Sequence, residues 1–158
     1  MGIPTTVPQF PTPEGECVRG LAESVAPASR KINKNSLLTG HSRGGMFLLK
    51  VLERLDIVID TAVFVAAPVG VRPISFYDDD KKFSNFEFDW EKIRKSAKNF
   101  IVYHSGNDPY VSLGNVQELA KKLGIELTFL PNMRHINADS EVFEFPKLLQ
   151  DLKFKEKK

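Results

Sequence analysis

Apolar positions along the chain form two kinds of pattern, short continuous runs and longer stretches with a spacing of three to four residues. The continuous runs predict strands at residues 35–39, 61–67, 100–104 and 125–130. The spaced positions predict helices at residues 14–26, 44–55, 89–97, 114–123 and 141–152, the last kinked or restarted at Pro146. Strands that alternate with helices in this way predict a mostly parallel sheet with helices on both faces.

Local signals refine this pattern. Asp89 is suited to cap the helix that follows it, and Gly124 is suited to end the helix before it. The prolines within residues 1–13 predict an irregular start, and the lysine-rich residues 153–158 predict a solvated basic tail. In a parallel sheet, the loops at the carboxyl ends of the strands carry the chemistry. Here these are the loops after Thr39, Ala67, His104 and Leu130.

Length and composition indicate one folded domain. The chain has 158 residues, close to one domain of about 150, so we expect a single domain over residues 1–158. Apolar residues make up 42% and charged residues 27%, which is typical of globular proteins and excludes disorder. The formal net charge of +2 lacks the positive excess that is typical of nucleic-acid binding, so we expect no nucleic-acid partner.

The sequence shows neither a membrane segment nor a targeting segment. It has no apolar run of roughly 18 residues, and its first residues lack the charged and apolar regions of a signal peptide. Its one cysteine, Cys17, cannot form an internal disulfide, which is typical of a reducing compartment. We therefore expect a cytoplasmic protein with no membrane association.

A candidate nucleophile follows the first predicted strand. Residues 40–45 read Gly-His-Ser-Arg-Gly-Gly, a G-x-S-x-G motif between a strand and a helix, as a nucleophile turn requires. We expect Ser42 to lie on a strained turn whose neighbours Gly40 and Gly44 must lack side chains. The backbone N–H of Arg43 then begins a helix and points to where an oxyanion would form.

A candidate acid and a candidate base follow two later strands. A serine nucleophile needs a base, and the base needs an acid that orients it. Asp108 follows the predicted strand at 100–104, and His135 follows the one at 125–130. The order Ser, Asp, His along the chain is that of α/β-hydrolases. All three loops are predicted to lie at the same edge of the sheet, so the side chains can meet there.

Each of these residues also has a structural interpretation. A glycine-rich turn can cradle a phosphate, although no Lys-Ser or Lys-Thr pair follows this one as in a P-loop. Asp108 before proline is typical of a residue that caps a turn. His104 is as readily a structural residue bonded to a backbone carbonyl, and His41 would point away from Ser42 and pack within the turn.

Other chemistry-bearing residues favour structural roles. The acidic residues 78–80 lack further ligand spacing for a cation, so a solvated loop is the better interpretation and we expect no metal site. Cys17 lies on the apolar face of a predicted helix, as a buried thiol would. The aromatic residues either line an acyl pocket or cap the core, and they are Phe83, Phe86, Phe88 and Trp90.

Four sequence features together carry a family resemblance. They are the run Gly40-His41-Ser42 with Gly44, the run Asp-Trp-Glu-Lys-Ile at residues 89–93, Asp108 with Pro109, and His135. With them the chain resembles the small α/β-hydrolase-like serine hydrolases related to retinoblastoma-binding protein 9. The run at 89–93 lies outside the general hydrolase pattern and makes the resemblance more specific. It extends from about Val7 to Leu152.

The resemblance implies a fold, an activity and a set of site residues. The fold is a three-layer α/β/α arrangement, and the triad is Ser42, Asp108 and His135. The activity is hydrolysis of a carboxylic ester or amide, in a small molecule or a peptide, through an acyl-enzyme. The resemblance implies no metal and no organic cofactor.

One part of the family pattern is missing from the sequence. Members begin with a strand, a glycine-rich loop and a helix, and that loop supplies the second N–H of the oxyanion hole. Here the chain starts after this unit, so we expect an N-terminally shortened fold that lacks a strand in its sheet and leaves neighbouring edges unpaired. Loss of one oxyanion donor typically lowers the rate by about 10² to 10³. The alternative to an active serine hydrolase is therefore a catalytically impaired hydrolase-fold protein that binds a protein partner.

Overall fold

A computed structural model describes residues 4–8, 30–69 and 87–153 of the chain. The strands are β1 (Leu37–His41), β2 (Ile59–Val65), β3 (Ala97–Ser105) and β4 (Thr128–Leu130). The helices are α1 (Arg43–Arg54), α2 (Trp90–Lys95), α3 (Leu113–Leu123) and α4 (Pro146–Lys153), with a 3₁₀ turn at Ala138–Ser140. Residues 4–8 carry no regular secondary structure. Several predictions concern residues outside the described ranges, namely those for Cys17, the helix at 14–26, the acidic residues 78–80, Phe83, Phe86 and the end of the basic tail.

The strands form one parallel sheet in the order β1-β2-β3-β4. The register pairs His41 with Val65, Val65 with Tyr103, and Ser105 with Leu130. Because the strands are parallel, their carboxyl ends lie at one edge of the sheet. The prediction of a parallel sheet is confirmed. The predicted missing strand beside β1 stays a prediction, because residues 9–29 are not among those described.

Strand β2 is the most deeply buried strand of the sheet. All of its residues except Asp60 are buried. Its side chains alternate between two apolar clusters, with Ala62 and Phe64 in one and Val63 and Val65 in the other. A strand covered on both faces needs apolar residues at successive positions, which explains the continuous apolar run in the sequence.

The two apolar clusters define helix layers on opposite faces of the sheet. On one face, α1, α2 and α3 contribute buried side chains, among them Leu49, Ile93 and Leu119. On the other face, Leu148 of α4 packs against the cluster that contains Tyr103. Burying a side chain of this size contributes about 1.5–3 kcal/mol. The result is an arrangement of three layers with the sheet in the middle.

A hydrogen bond also fastens α4 to the sheet. The buried Tyr103 hydroxyl donates to Asp151 Oδ2 at 2.6 Å, and Lys147 pairs with the other oxygen of the same carboxylate. Burial raises the pKa of Tyr103, and the hydrogen bond to Asp151 raises it further. Tyr103 therefore stays protonated and keeps donating to α4 over the whole physiological pH range.

The strands predicted at 35–39 and 61–67 each lie two residues from their observed positions. Three further predicted boundaries are wrong, each for a local reason. Ala97 begins β3 instead of ending a helix, because α2 already ends at its cap Ser96. The strand predicted from residue 125 is only β4, because Ile125 N–H donates to Ala120 O and belongs to the end of α3. Helix α4 begins at Pro146, since proline is favoured at the first position of a helix, whereas Glu141 has a left-handed φ of 60°.

Other local predictions are confirmed. The Asp89 side chain accepts from Lys92 N at 2.9 Å and caps α2, and Gly124 ends α3 with a left-handed φ of 74°. Phe88 and Trp90 pack edge to face at 5.4 Å and both contact the larger apolar cluster, which favours the core-capping interpretation for this pair. Within the described ranges, no helix is long and apolar enough to cross a membrane.

Candidate active site

The turn between β1 and α1 holds Ser42 in a strained conformation. Ser42 has φ 53° and ψ −127°. A residue other than glycine adopts such a conformation at a cost of about 1–3 kcal/mol, and residues of this kind cluster at functional sites. Its N–H donates to the carbonyl of Val65 at 2.9 Å, so the turn is fixed to the carboxyl end of β2. The expectation of a strained serine between a strand and a helix is confirmed.

Close packing explains two of the glycines of this turn but not the third. A Cβ at Gly40 would lie 2.6 Å from the Gly44 carbonyl oxygen, and a Cβ at Gly45 would lie 2.3 Å from Ala67 Cβ. At Gly44 a Cβ would meet no atom within 4 Å. The steric expectation is therefore confirmed at Gly40 and wrong at Gly44, because the helix approaches the strand through Gly45.

Arg43 occupies the position from which an oxyanion donor is expected to act. It is the first residue of α1, directly after Ser42. The N–H groups of a first helical turn have no acceptor in their own helix and point along the axis toward its N-terminal end. The partial positive charge of that end favours a negative oxygen there. The position of Arg43 suits the role expected from the sequence.

Asp108 and His135 are in direct contact, as the sequence analysis predicted. His135 Nδ1 lies 2.8 Å from Asp108 Oδ2, and both side chains are almost fully buried. An ionised carboxylate only accepts hydrogen bonds, so Nδ1 is the nitrogen that carries the proton. A neutral His135 then keeps an unprotonated Nε2, which is the atom that a general base uses.

The same Asp108 carboxylate also organises its own loop. Its Oδ1 accepts from the N–H groups of Tyr110 at 2.8 Å and of Val111 at 3.0 Å. Burial raises the pKa of Asp108, but the hydrogen bonds from His135 and from these two N–H groups outweigh burial and hold the pKa below its ordinary value. Asp108 is therefore ionised at neutral pH. The turn-capping interpretation is confirmed, and the contact with His135 is compatible with the role predicted for Asp108 in the site.

Side chains from the end of β3 hold the loop that carries His135. Ser105 Oγ accepts from Met133 N at 2.8 Å, and Asn107 Oδ1 accepts from Arg134 N at 2.8 Å and from Ser105 Oγ at 2.8 Å. We call Ser105 and Asn107 the loop clamp. Sequence reasoning missed both residues, although their position directly after the predicted strand at 100–104 was a usable signal.

The backbone around His135 is strained in a regular way. Asn132, Arg134 and Ile136 all have positive φ, of 59°, 48° and 53°, at alternate positions along the loop. His135 N–H donates to Ser140 Oγ at 3.3 Å. Such a backbone persists only when its surroundings impose it. The clamp and Ser140 supply that support on the two sides of the loop.

Two aromatic rings contact the imidazole of His135. The ring of His41 meets it edge to face at 4.7 Å, and the ring of Tyr110 does so at 4.9 Å. His41 Nε2 also lies 2.8 Å from the backbone carbonyl of His135. The expectation that His41 packs is confirmed, but it packs against the predicted base and belongs to the site.

His104 lies beside the same carboxylate. Its side chain is 1% exposed, and Nδ1 is 3.8 Å from Asp108 Oδ2. Neither ring nitrogen makes a hydrogen bond of good geometry among the described residues, but a looser contact with the Val111 backbone matches the kind of partner that the sequence predicted. Burial lowers the pKa of His104 and His135 lowers it further, whereas the Asp108 charge and the Val111 backbone offset this only in part. All three histidines of the chain thus gather around Asp108 and His135.

Ser42 is linked to this pair only through its chain neighbour among the described contacts. Its chain neighbour His41 contacts His135, yet among the described residues no hydrogen bond joins the Ser42 hydroxyl to His135. In enzymes without substrate this contact is often long and tightens on binding. Over the described ranges, no group of three or more His, Cys, Asp or Glu side chains is arranged to hold a metal ion.

Comparison with known proteins places this geometry in context. A family model described as serine hydrolase matches residues 18–153 of the chain. No curated protein sequence matches significantly. Among solved structures, the ydeN gene product of B. subtilis is similar with a TM-score of 0.86 and 21% sequence identity, over 94% of this chain and 80% of that one.

Two further solved structures share the fold at lower similarity. A protein from Pectobacterium atrosepticum described as YdeN-like has a TM-score of 0.62 and 20% identity, over 85% of this chain and 65% of that one. The esterase domain of a Rhodothermus marinus protein has a TM-score of 0.54 and 18% identity, over 81% of this chain and 65% of that one. The chain therefore spans just under two thirds of these two structures. The similarity establishes a three-layer α/β/α fold of the hydrolase type.

Proposed function

Because the chain belongs to the serine hydrolase family, we propose that it cleaves a carboxylic ester or amide with Ser42 as nucleophile, His135 as base and Asp108 as the acid that orients the base. The observation that carries this proposal is the buried 2.8 Å contact between His135 Nδ1 and Asp108 Oδ2, next to the strained turn of Ser42. A structural ion pair would not require a strained serine beside it.

In the first half of the reaction, the Ser42 hydroxyl gives its proton to His135 Nε2 while its oxygen attacks the substrate carbonyl carbon. The carbonyl oxygen becomes an oxyanion at the N-terminal end of α1, where the N–H of Arg43 donates to it. The ionised Asp108 stabilises the imidazolium that His135 has become. The bond to the leaving group then breaks, and the alcohol or amine departs with the proton from Nε2.

In the second half, water replaces the leaving group. His135 takes a proton from the water, the resulting hydroxide attacks the acyl carbon, and the bond to Ser42 Oγ breaks as the serine recovers its proton. The products are a carboxylic acid and a free enzyme. No cofactor takes part in these steps.

The finer assignment rests on resemblance. The motif set at Ser42, Asp108, His135 and residues 89–93 supports placing the chain near the relatives of retinoblastoma-binding protein 9. The R. marinus neighbour is an esterase domain, which favours esters as the first substrates to test. Small activated esters are the suitable choice because they demand little of a binding pocket.

The test compares hydrolysis of p-nitrophenyl acetate and butyrate by the wild type and three variants. Ser42→Ala removes the nucleophile and should abolish turnover. Asp108→Asn removes the charge that fixes the tautomer of His135 and should lower kcat by about 10⁴. Ser112→Ala is the matched control, since it removes a buried serine hydroxyl that has no hydrogen bond among the described residues, and should leave turnover unchanged.

Folding of every variant is checked by its thermal unfolding midpoint. A folded wild type without turnover on any ester or amide of a broad panel would contradict the proposal and favour the alternative of a protein that binds a partner. Turnover that survives in folded Ser42→Ala would contradict the assignment of the nucleophile.

A further inference from the structure

We propose that His41 is a positioning residue, which sets the place of His135 relative to Ser42 through a hydrogen bond to the His135 backbone. The proposal rests on the proposed function, since it concerns the same nucleophile and base. His41 Nε2 lies 2.8 Å from the carbonyl oxygen of His135, and the two rings meet edge to face at 4.7 Å. One side chain thus contacts both the backbone and the ring of the base.

The position of His41 in the chain makes this contact a link between two loops of the site. His41 is the last residue of β1 and directly precedes Ser42. Its partner is 94 residues away, in the loop after β4. The hydrogen bond therefore joins the nucleophile turn to the loop of the base across the edge of the sheet. Any movement of one loop relative to the other must break or bend it.

Other contacts tie each of the two loops to the sheet. The loop clamp ties the loop of His135 to the end of β3, and Asp108 ties the imidazole to the same region. Ser42 itself is tied to β2 through Val65. The loop of His135 is thus tied to β3 and the nucleophile turn to β2, and the hydrogen bond of His41 joins the two loops directly.

The chemistry of the contact specifies the protonation of His41. A carbonyl oxygen only accepts, so Nε2 must carry a proton. Burial lowers the pKa of His41, and its hydrogen bond to the His135 carbonyl opposes this only in part; His135 lowers the pKa and Asp108 raises it. His41 is therefore neutral at neutral pH, with its single proton on Nε2. A neutral ring adds no positive charge beside His135 when that residue becomes an imidazolium.

Two substitutions separate the hydrogen bond from ring packing. His41→Gln keeps a donor near the place of Nε2 but loses the ring, and His41→Phe keeps a ring but loses the donor. The control is Thr39→Val, an exposed position on the same strand. Ester turnover and the rate of Ser42 labelling by a fluorophosphonate probe are measured for each, with the unfolding midpoint as a check of folding.

We expect His41→Phe to lower kcat and the labelling rate by about 10 to 10², with KM unchanged, because a misplacement of about 1 Å has an effect of this size. His41→Gln should stay within about fivefold of the wild type on the same scale, and Thr39→Val should equal the wild type. Equal rates for His41→Phe and His41→Gln, both normal or both slow, would overturn the proposal, because they would assign the effect to something other than the donor.

A measurement on the wild-type protein tests the contact independently of activity and of any variant. Two-bond ¹H–¹⁵N correlation spectra report which ring nitrogen of each histidine carries the proton. His41 should show its proton on Nε2 at neutral pH, and a proton on Nδ1 alone would overturn the proposal. If the wild type neither turns over nor becomes labelled at Ser42, the proposed function fails, while this spectrum still decides the His41 contact.

Discussion

The two loops that carry the nucleophile and the base are held in place by different means. The nucleophile turn, residues 40–45, is fixed by the absence of side chains, since a Cβ at Gly40 or Gly45 would collide with atoms 2.6 Å and 2.3 Å away. The base loop, residues 131–140, is fixed by the presence of side chains, because Ser105, Asn107 and His41 all bond to its backbone. Both loops contain residues with positive φ.

This difference shows how strain at a site is supported. In the nucleophile turn, an added side chain at Gly40 or Gly45 would clash with neighbouring atoms, so the backbone must shift to accept it. A single substitution there therefore has a large energetic cost. Hydrogen bonds to a loop are individually worth about 0.5–1.5 kcal/mol, so the loop yields gradually as they are removed. We therefore expect one substitution in the nucleophile turn to remove nearly all ester turnover. Each substitution around the base loop should instead lower turnover and stability by a smaller amount.

The largest effect is expected for Gly40→Ala. The added methyl group would lie 2.6 Å from both the Gly44 carbonyl oxygen and Gly45 Cα, which are backbone atoms that cannot turn aside. We expect a loss of about 2–3 kcal/mol in the free energy of unfolding and loss of nearly all ester turnover. Urea unfolding and kinetics measure the two effects.

Gly44→Ala is the matched control for this prediction. Its methyl group would meet nothing within 4 Å, and the position lies in the first turn of α1, where alanine is a better helix former than glycine. We expect unfolding free energy equal to or slightly above that of the wild type. Equal destabilisation by the two substitutions would contradict the steric account of the turn.

A smaller effect is expected from opening the loop clamp. Asn107→Ala removes the oxygen that accepts from Arg134 N and from Ser105 Oγ. We expect a loss of about 1 kcal/mol in unfolding free energy, and a fall of about tenfold in kcat with KM unchanged. Asn107→Asp keeps an accepting oxygen and should lie between the wild type and Asn107→Ala, so a variant order that differs would show that the clamp does not act as an acceptor.

The smallest effect is a pH dependence of stability that differs between His41 of the nucleophile turn and His104 of β3. His104 and His41 both have a folded-state pKa below the ordinary 6.5, with burial as the main cause. The unfolded chain then binds more protons between the folded and unfolded pKa values, so stability is complete above about 6.5 and falls as the pH is lowered through that window. Each histidine contributes at most about 1.4 kcal/mol per pH unit.

The expected difference between these histidines follows from burial. His104 has no exposed surface, whereas His41 is half-buried. Urea unfolding at pH 7.5 and 5.5 should therefore show a shallower pH slope in His104→Gln than in the wild type, with a weaker change in His41→Gln. Parallel slopes in all three proteins would contradict the inferred burial of a neutral His104.

Asp108 affects stability in a different, more acidic pH range. Because its pKa in the folded protein is lowered, its contribution to stability is lost only as the pH falls below the ordinary value of 3.8.

The sequence predicted the parts of this structure that local pattern determines. The apolar run of β2, the cap at Asp89 and the left-handed Gly124 follow from residue type and spacing, and the structure has all three. The Ser42 turn and the Asp108 to His135 contact followed from loops that end neighbouring parallel strands. Such features need only the fold class and the order of residues along the chain.

The remaining features depend on which side chain meets which loop. No local pattern shows that Ser105 and Asn107 bond to residues 133 and 134, or that His41 contacts His135. Gly45 rather than Gly44 is the crowded position because Ala67, from the end of a different strand, lies against it. The predicted helix end at Ala97 and helix start at residue 141 are wrong, because strand pairing includes Ala97 in β3 and a left-handed residue at Glu141 precedes the helix that begins at Pro146.

The central claim is tested most directly by mapping where a fluorophosphonate probe binds covalently on the folded protein. Mass spectrometry of peptides should find one adduct, on Ser42, formed at a rate that falls by orders of magnitude in His135→Ala. A folded protein with no adduct, or with its adduct on another residue, would contradict the account.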